Sequence, residues 1–110
     1  MKKLRILREK ALQAQGGLCF HCHQPMWSDG PESHVQRFGL PPRKAKWFQC
    51  TAEHLAARCE GGGDRADNIV AACRFCNRTR HEARTPLEPI RYAARVRARM
   101  AAGRWLRLQT

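Results

Sequence analysis

Residues 53–81 read EHLAARCEGGGDRADNIVAACRFCNRTRH, and they interleave two sets of metal-ligating side chains. The first set is sulfur. Cys73 and Cys76 are spaced Cys-x-x-Cys, and Cys19 and Cys22 repeat that spacing far upstream. Zinc takes four tetrahedral thiolate or imidazole ligands, and two such turns supply four thiolates. One structural Zn²⁺ on Cys19, Cys22, Cys73 and Cys76 is therefore expected. A redox pair would need a thioredoxin-like βαβ pattern, which this sequence lacks. His21 and His23 flank the first pair but are not needed as ligands. Cys50 lies in an apolar segment and reads as a small core residue, and Cys59 as inert. The second set is oxygen and nitrogen. Glu53, His54, Asn68, Asn77 and His81 suit a hard divalent cation and a general base.

The stretch also predicts its own local structure. Trp47 to Leu55 and Asn68 to Ala72 read as short strands. Between them, residues 58–67 form a loop with Gly61, Gly62 and Gly63 at its tip, which makes a hairpin. A helix is expected from Cys76 to about Ala83. On it, Asn77 and His81 are spaced i, i+4, share one face, and can grip a single ion. Glu53 and His54 are strand neighbours, whose side chains point to opposite faces, so they take different roles. Glu53 would bind metal, and His54, titrating near neutral pH, would face a water molecule.

Outward from this centre, Leu4, Leu7, Ala11 and Leu12 give an apolar stripe on a helix over residues 2–15, which Gly16 and Gly17 end. Residues 18–26 form a tight knuckle around the first cysteine pair. Residues 27–46, with Pro31, Gly39, Pro41 and Pro42, read as an irregular insertion. Thr85 and Pro86 break the chain, and a last helix covers residues 87–102, ended by Gly103. The expected organisation is one α+β domain over residues 1–110. It comprises a basic N-terminal helix (1–17), a zinc-stapled core (18–84) and a basic C-terminal helix and tail (85–110).

The chain of 110 residues carries a formal net charge of +12, with an isoelectric point near 10.5. A domain this small has little hydrophobic stability to spare, so a metal staple would help it fold. Charge of this sign and size favours polyanions, nucleic acid above all. The chain has no acidic residue after Glu88. Arg78, Arg80, Arg84, Arg95, Arg97 and Arg99 are the expected phosphate contacts. No apolar run is long enough to span a membrane and no h-region follows the basic N-terminus, so a cytoplasmic protein of a bacterium or phage is expected.

Glu53-His54, Asn68 fourteen positions after the histidine, and Asn77 nine further on resemble the HNH endonuclease motif. The flanking cysteine pairs resemble its zinc-knuckle branch, and the resemblance covers about residues 18–84. It implies a ββα-metal, treble-clef-like finger. It further implies hydrolysis of DNA phosphodiester bonds with one Mg²⁺ or Mn²⁺ ion. His54 would be the general base and Asn68 would fix the loop. Asn77 would be a metal ligand, with Glu53 and His81 completing the set. Double-stranded DNA is the expected partner, with specificity low, shape-based, or supplied by a dimer or targeting partner. A zinc-stabilised nucleic-acid-binding protein without catalysis, and an RNA-directed or toxin-like nuclease, are the alternative readings.

Overall fold

The computed structural model describes residues 2–108. At its centre is an antiparallel hairpin of β1 (Cys50–His54) and β2 (Ile69–Cys73), in register from Cys50 opposite Cys73 to His54 opposite Ile69. Directly after β2 comes α4 (Arg74–Glu82). Cys73 caps it, its Sγ accepting the Cys76 N–H at 3.4 Å. Because β2 ends opposite the start of β1, α4 turns back and runs beside β1 in the same direction. Its hydrogen bonds mark that course. The Arg74 N–H donates to Gln49 O at 2.9 Å, Asn77 Nδ2 to Ala52 O at 3.2 Å, and Arg80 Nη2 to Leu55 O at 3.4 Å. Motif residues on the strand and on the helix are thereby laid side by side.

The fold is α+β, with the expected hairpin-then-helix order. The first strand is shorter than expected because Lys46–Phe48 forms a 3-10 turn. There the backbone of Trp27 takes the edge positions, accepting from Cys50 N–H at 2.8 Å and donating to Phe48 O at 3.2 Å. Residues 27–46 are a clear correction. Instead of an irregular insertion they hold two short helices, α2 (Glu32–Phe38) and α3 (Pro42–Ala45). The prolines begin these helices rather than forbid them. Pro31 caps α2, Pro42 is its own helix's first residue, and Gly39 ends α2 in the left-handed conformation at φ 62°.

Two outer helices close the structure. α1 (Lys2–Ala14) packs on both strands. Its end is fastened by Gln15, whose side chain donates to Ala71 O at 2.8 Å and accepts from Ala71 N–H at 2.9 Å. α5 (Pro89–Ala101) buries Tyr92, Ala93 and Val96. Tyr92 and Val96 pack with Ala72 and the four paired cysteines in one buried cluster, so the core of this small protein is built on sulfur. Among the described residues no helix is long and apolar enough to cross a membrane.

Candidate active site

Cys19, Cys22, Cys73 and Cys76 are all buried, and their sulfurs lie within 4.8 Å of one another. The Cys22 and Cys73 sulfurs are 3.9 Å apart, far too long for a disulfide. Tetrahedral bonds of ~2.3 Å put sulfurs ~3.8 Å apart, so the spacing suits zinc. Backbone N–H groups of His21 and Cys73 point at Cys19 Sγ, at 3.4 and 3.3 Å, as they would toward a thiolate. Hydrogen bonds from Cys22, Cys73 and Cys76 push the Cys19 thiol far down, while the same crowding, Cys19 first, pushes Cys76 far up. Four sulfurs this close cannot all ionise without a cation among them. Four buried cysteines are thus positioned to bind one metal ion. Cys50 stands apart, its thiol pushed up to about 11 chiefly by burial.

Glu53 is 1% exposed and sits in a network of buried polar side chains. Its Oε1 meets His21 Nε2 at 3.1 Å and Arg80 Nη1 at 3.2 Å, and its Oε2 meets His81 Nε2 at 2.9 Å. Burial raises the carboxyl pKa. Hydrogen bonds from His21 and His81, with the charges of His81 and Arg80, outweigh that and hold it below the usual carboxylate range. Glu53 is therefore an anion held from two sides, by His21 of the first knuckle and by Arg80 and His81 of α4. The His81 side chain, 38% exposed, connects this interior anion to the surface. Asn77 is placed differently. Its Nδ2 donates to Thr51 Oγ1 at 3.0 Å and to Ala52 O, which ties the amide to β1 rather than to Glu53.

His54 lies at the end of β1, and its Nε2 is 2.8 Å from Asp64 Oδ1. A carboxylate partner fixes the proton on Nε2 and leaves Nδ1 as the lone-pair nitrogen. The loop that carries Asp64 is held by Asn68, which is buried. Asn68 Oδ1 accepts from Ala56 N–H at 2.8 Å, and its Nδ2 donates to Ala56 O and Gly63 O, both at 3.0 Å. Gly62 is buried beneath this amide, and a Cβ there would overlap the Ala56 carbonyl. Of the glycine run, Gly62 is therefore the packed member, whereas Gly61 and Gly63 have open space beside them. Asn68→Ala should lower the unfolding free energy by ~1–3 kcal/mol, because buried backbone groups lose their partners. Denaturant melts of the metal-loaded protein would measure this, and an unchanged midpoint would show that the loop closes without Asn68.

Residues 43–83 match the family model of the HNH endonuclease. That segment is similar to an HNH endonuclease domain. The match takes in Glu53, His54, Asn68, Asn77, His81 and the second cysteine pair, and leaves the first pair and α5 outside. No curated protein and no solved structure matches the chain.

Of the arginines expected to contact phosphate, Arg78 is exposed on α4 and Arg84 just after it, while Arg95, Arg97 and Arg99 are exposed on α5. Arg80 is turned inward and 6% exposed. Besides Glu53, its guanidinium donates to the carbonyls of Leu87, His54 and Leu55, at 3.0, 3.3 and 3.4 Å. It clamps the end of β1 to α4 and to the segment leading into α5. Two functional neighbours were not apparent from sequence. Asp64 sits ten positions after His54 in a glycine-rich loop, where an acid reads as a turn residue. His21 sits inside the first knuckle, so its closeness to sulfur hid its bond to Glu53.

Proposed function

We propose that this protein is a metal-dependent endonuclease that hydrolyses DNA phosphodiester bonds. The observation that supports this best is the meeting of Glu53 and His81 across β1 and α4, with His54 the next residue along the strand. In this reading Cys19, Cys22, Cys73 and Cys76 hold one Zn²⁺ as scaffold. Glu53 and His81, with the oxygen of the immobilised Asn77 amide, would hold one Mg²⁺ or Mn²⁺. Such an ion stabilises negative charge developing on the phosphate and the leaving oxygen.

The chain's own groups do the remaining work. Asp64 holds the His54 ring so that Nδ1 takes a proton from water. The resulting hydroxide attacks phosphorus, the 3′-oxygen departs, and the products end in a 5′-phosphate and a 3′-hydroxyl. Asn68 keeps the Asp64 loop in place, and His21 and Arg80 keep Glu53 ionised and oriented. Exposed arginines at 78, 84, 95, 97 and 99 contact the phosphate backbone. The expected result with an end-labelled duplex is cleavage only when Mg²⁺ or Mn²⁺ is added, with 5′-phosphate ends. Intact DNA across several divalent ions, from protein shown to be folded and zinc-loaded, would leave nucleic-acid binding without catalysis as the function. A parallel RNA substrate separates the RNA-directed alternative.

A further inference from the structure

The start of α4 gathers several cations, of which only Arg78 figures in the proposed function. Arg74 and Arg78 lie one turn apart on its exposed flank. Their guanidinium carbons stand 5.8 and 5.5 Å from the centroid of the Trp47 ring, and Lys46 Nζ stands 5.0 Å from it. Trp47 is half-buried and fixed edge-on by Phe75 at 5.9 Å, which meets Trp105 at 5.0 Å. The indole is thus a rigid floor anchored toward the core, on which three flexible cations converge. Exposed Arg43 and Lys44 on the neighbouring α3 extend the patch. Among the described residues, the ion pair made by these five side chains is Arg78 with Glu82, at 3.8 Å and largely exposed. Cations crowded in this way repel one another, and a polyanion laid across them relieves the repulsion.

The patch also has a fixed relation to the proposed catalytic residues. α4 runs along β1 from Arg74, beside Gln49, to His81, beside Glu53. Seven helical residues span ~10 Å, short enough for one nucleic-acid strand to reach both places. We propose that Lys46, Arg74 and Arg78, mounted on Trp47 and extended by Arg43 and Lys44, form a phosphate-binding surface. It holds the nucleic-acid strand close to the phosphate that is cut. The position of the cut rests on the nuclease reading, whereas the surface itself does not.

Binding of a labelled duplex, followed by fluorescence anisotropy without added divalent ions, tests the surface apart from cleavage. The variant combining Lys46→Gln, Arg74→Gln and Arg78→Gln should bind roughly ten- to a hundred-fold more weakly. Its plot of log affinity against log salt should be shallower by about 2–3 units, one for each lost phosphate contact. Neutralising Lys2, Lys3 and Arg5 on α1 removes the same charge and should cost far less. Arg74→Lys with Arg78→Lys should keep the wild-type slope. Zinc content and circular dichroism establish that each variant is folded. Equal losses in the α4 and α1 variants, or an unchanged affinity and slope in the first, would overturn the surface. Cleavage by wild type beside an unaffected variant would sink this inference alone. Lost binding in the variant beside uncleaved DNA would sink the nuclease reading alone.

Discussion

His54→Ala is expected to slow DNA cleavage by about 10²–10⁴-fold while leaving fold and bound zinc unchanged. The magnitude is that of removing a general base whose job water or buffer performs poorly. The separation of effects follows from where His54 sits. Its side chain is only partly buried and, at 2.8 Å, leans on Asp64 in a surface loop, whereas its strand neighbour Glu53 is enclosed. Truncating His54 therefore leaves the β1–α4 contacts intact, because the bond from Arg80 is to the His54 carbonyl, which alanine keeps. Asp64→Ala should lower the rate by less, since the base is then present but poorly held. The comparison is made by single-turnover cleavage of a defined duplex at saturating protein. Equal rates for wild type and His54→Ala would remove His54 from the mechanism.

The second large effect is on folding. Removing zinc by chelation, or replacing Cys76 with serine, should abolish the cooperative thermal transition. Structural zinc contributes ~10–16 kcal/mol in small zinc-folded peptides, as much as the whole stability of a typical domain. Here the four sulfurs occupy the centre of the buried cluster formed with Ala72, Tyr92 and Val96, so little apolar core remains to compensate. The same substitution should also disturb the catalytic side. His21, between Cys19 and Cys22, holds Glu53 Oε1, so the first knuckle and the carboxylate move together. Cys59→Ser is the control. Cys59 is exposed and should change stability by less than ~0.5 kcal/mol. A Cys76→Ser protein that melts like wild type would show that the sulfur cluster is not the staple.

The sequence made the scaffold readable because its signals are local. Equal Cys-x-x-Cys spacings marked both knuckles, and a glycine loop between two apolar runs marked the hairpin. The i, i+4 pair on α4 marked a helix face, although only His81 of that pair reaches Glu53. What stayed hidden depends on chain approach. Arg80 looked like another surface cation, and only the curl of α4 beside β1 shows that its donors meet Glu53 and three carbonyls. His21 and Glu53 are 32 positions apart, and nothing in either neighbourhood announces their bond. α2 and α3 were obscured for a different reason. Pro31, Pro41 and Pro42 look like breakers in the sequence, although proline is at ease in a helix's first turn.

The central claim is that a zinc-built scaffold presents a separate hydrolytic site that works only with an added divalent ion. The most direct measurement is plasmid relaxation by one zinc-quantified sample, with and without added Mg²⁺ or Mn²⁺. The protein should be folded and zinc-loaded in both cases, with nicked or linear DNA appearing only when the second ion is supplied. Supercoiled plasmid left intact by folded, zinc-loaded protein at every Mg²⁺ and Mn²⁺ concentration would contradict that claim.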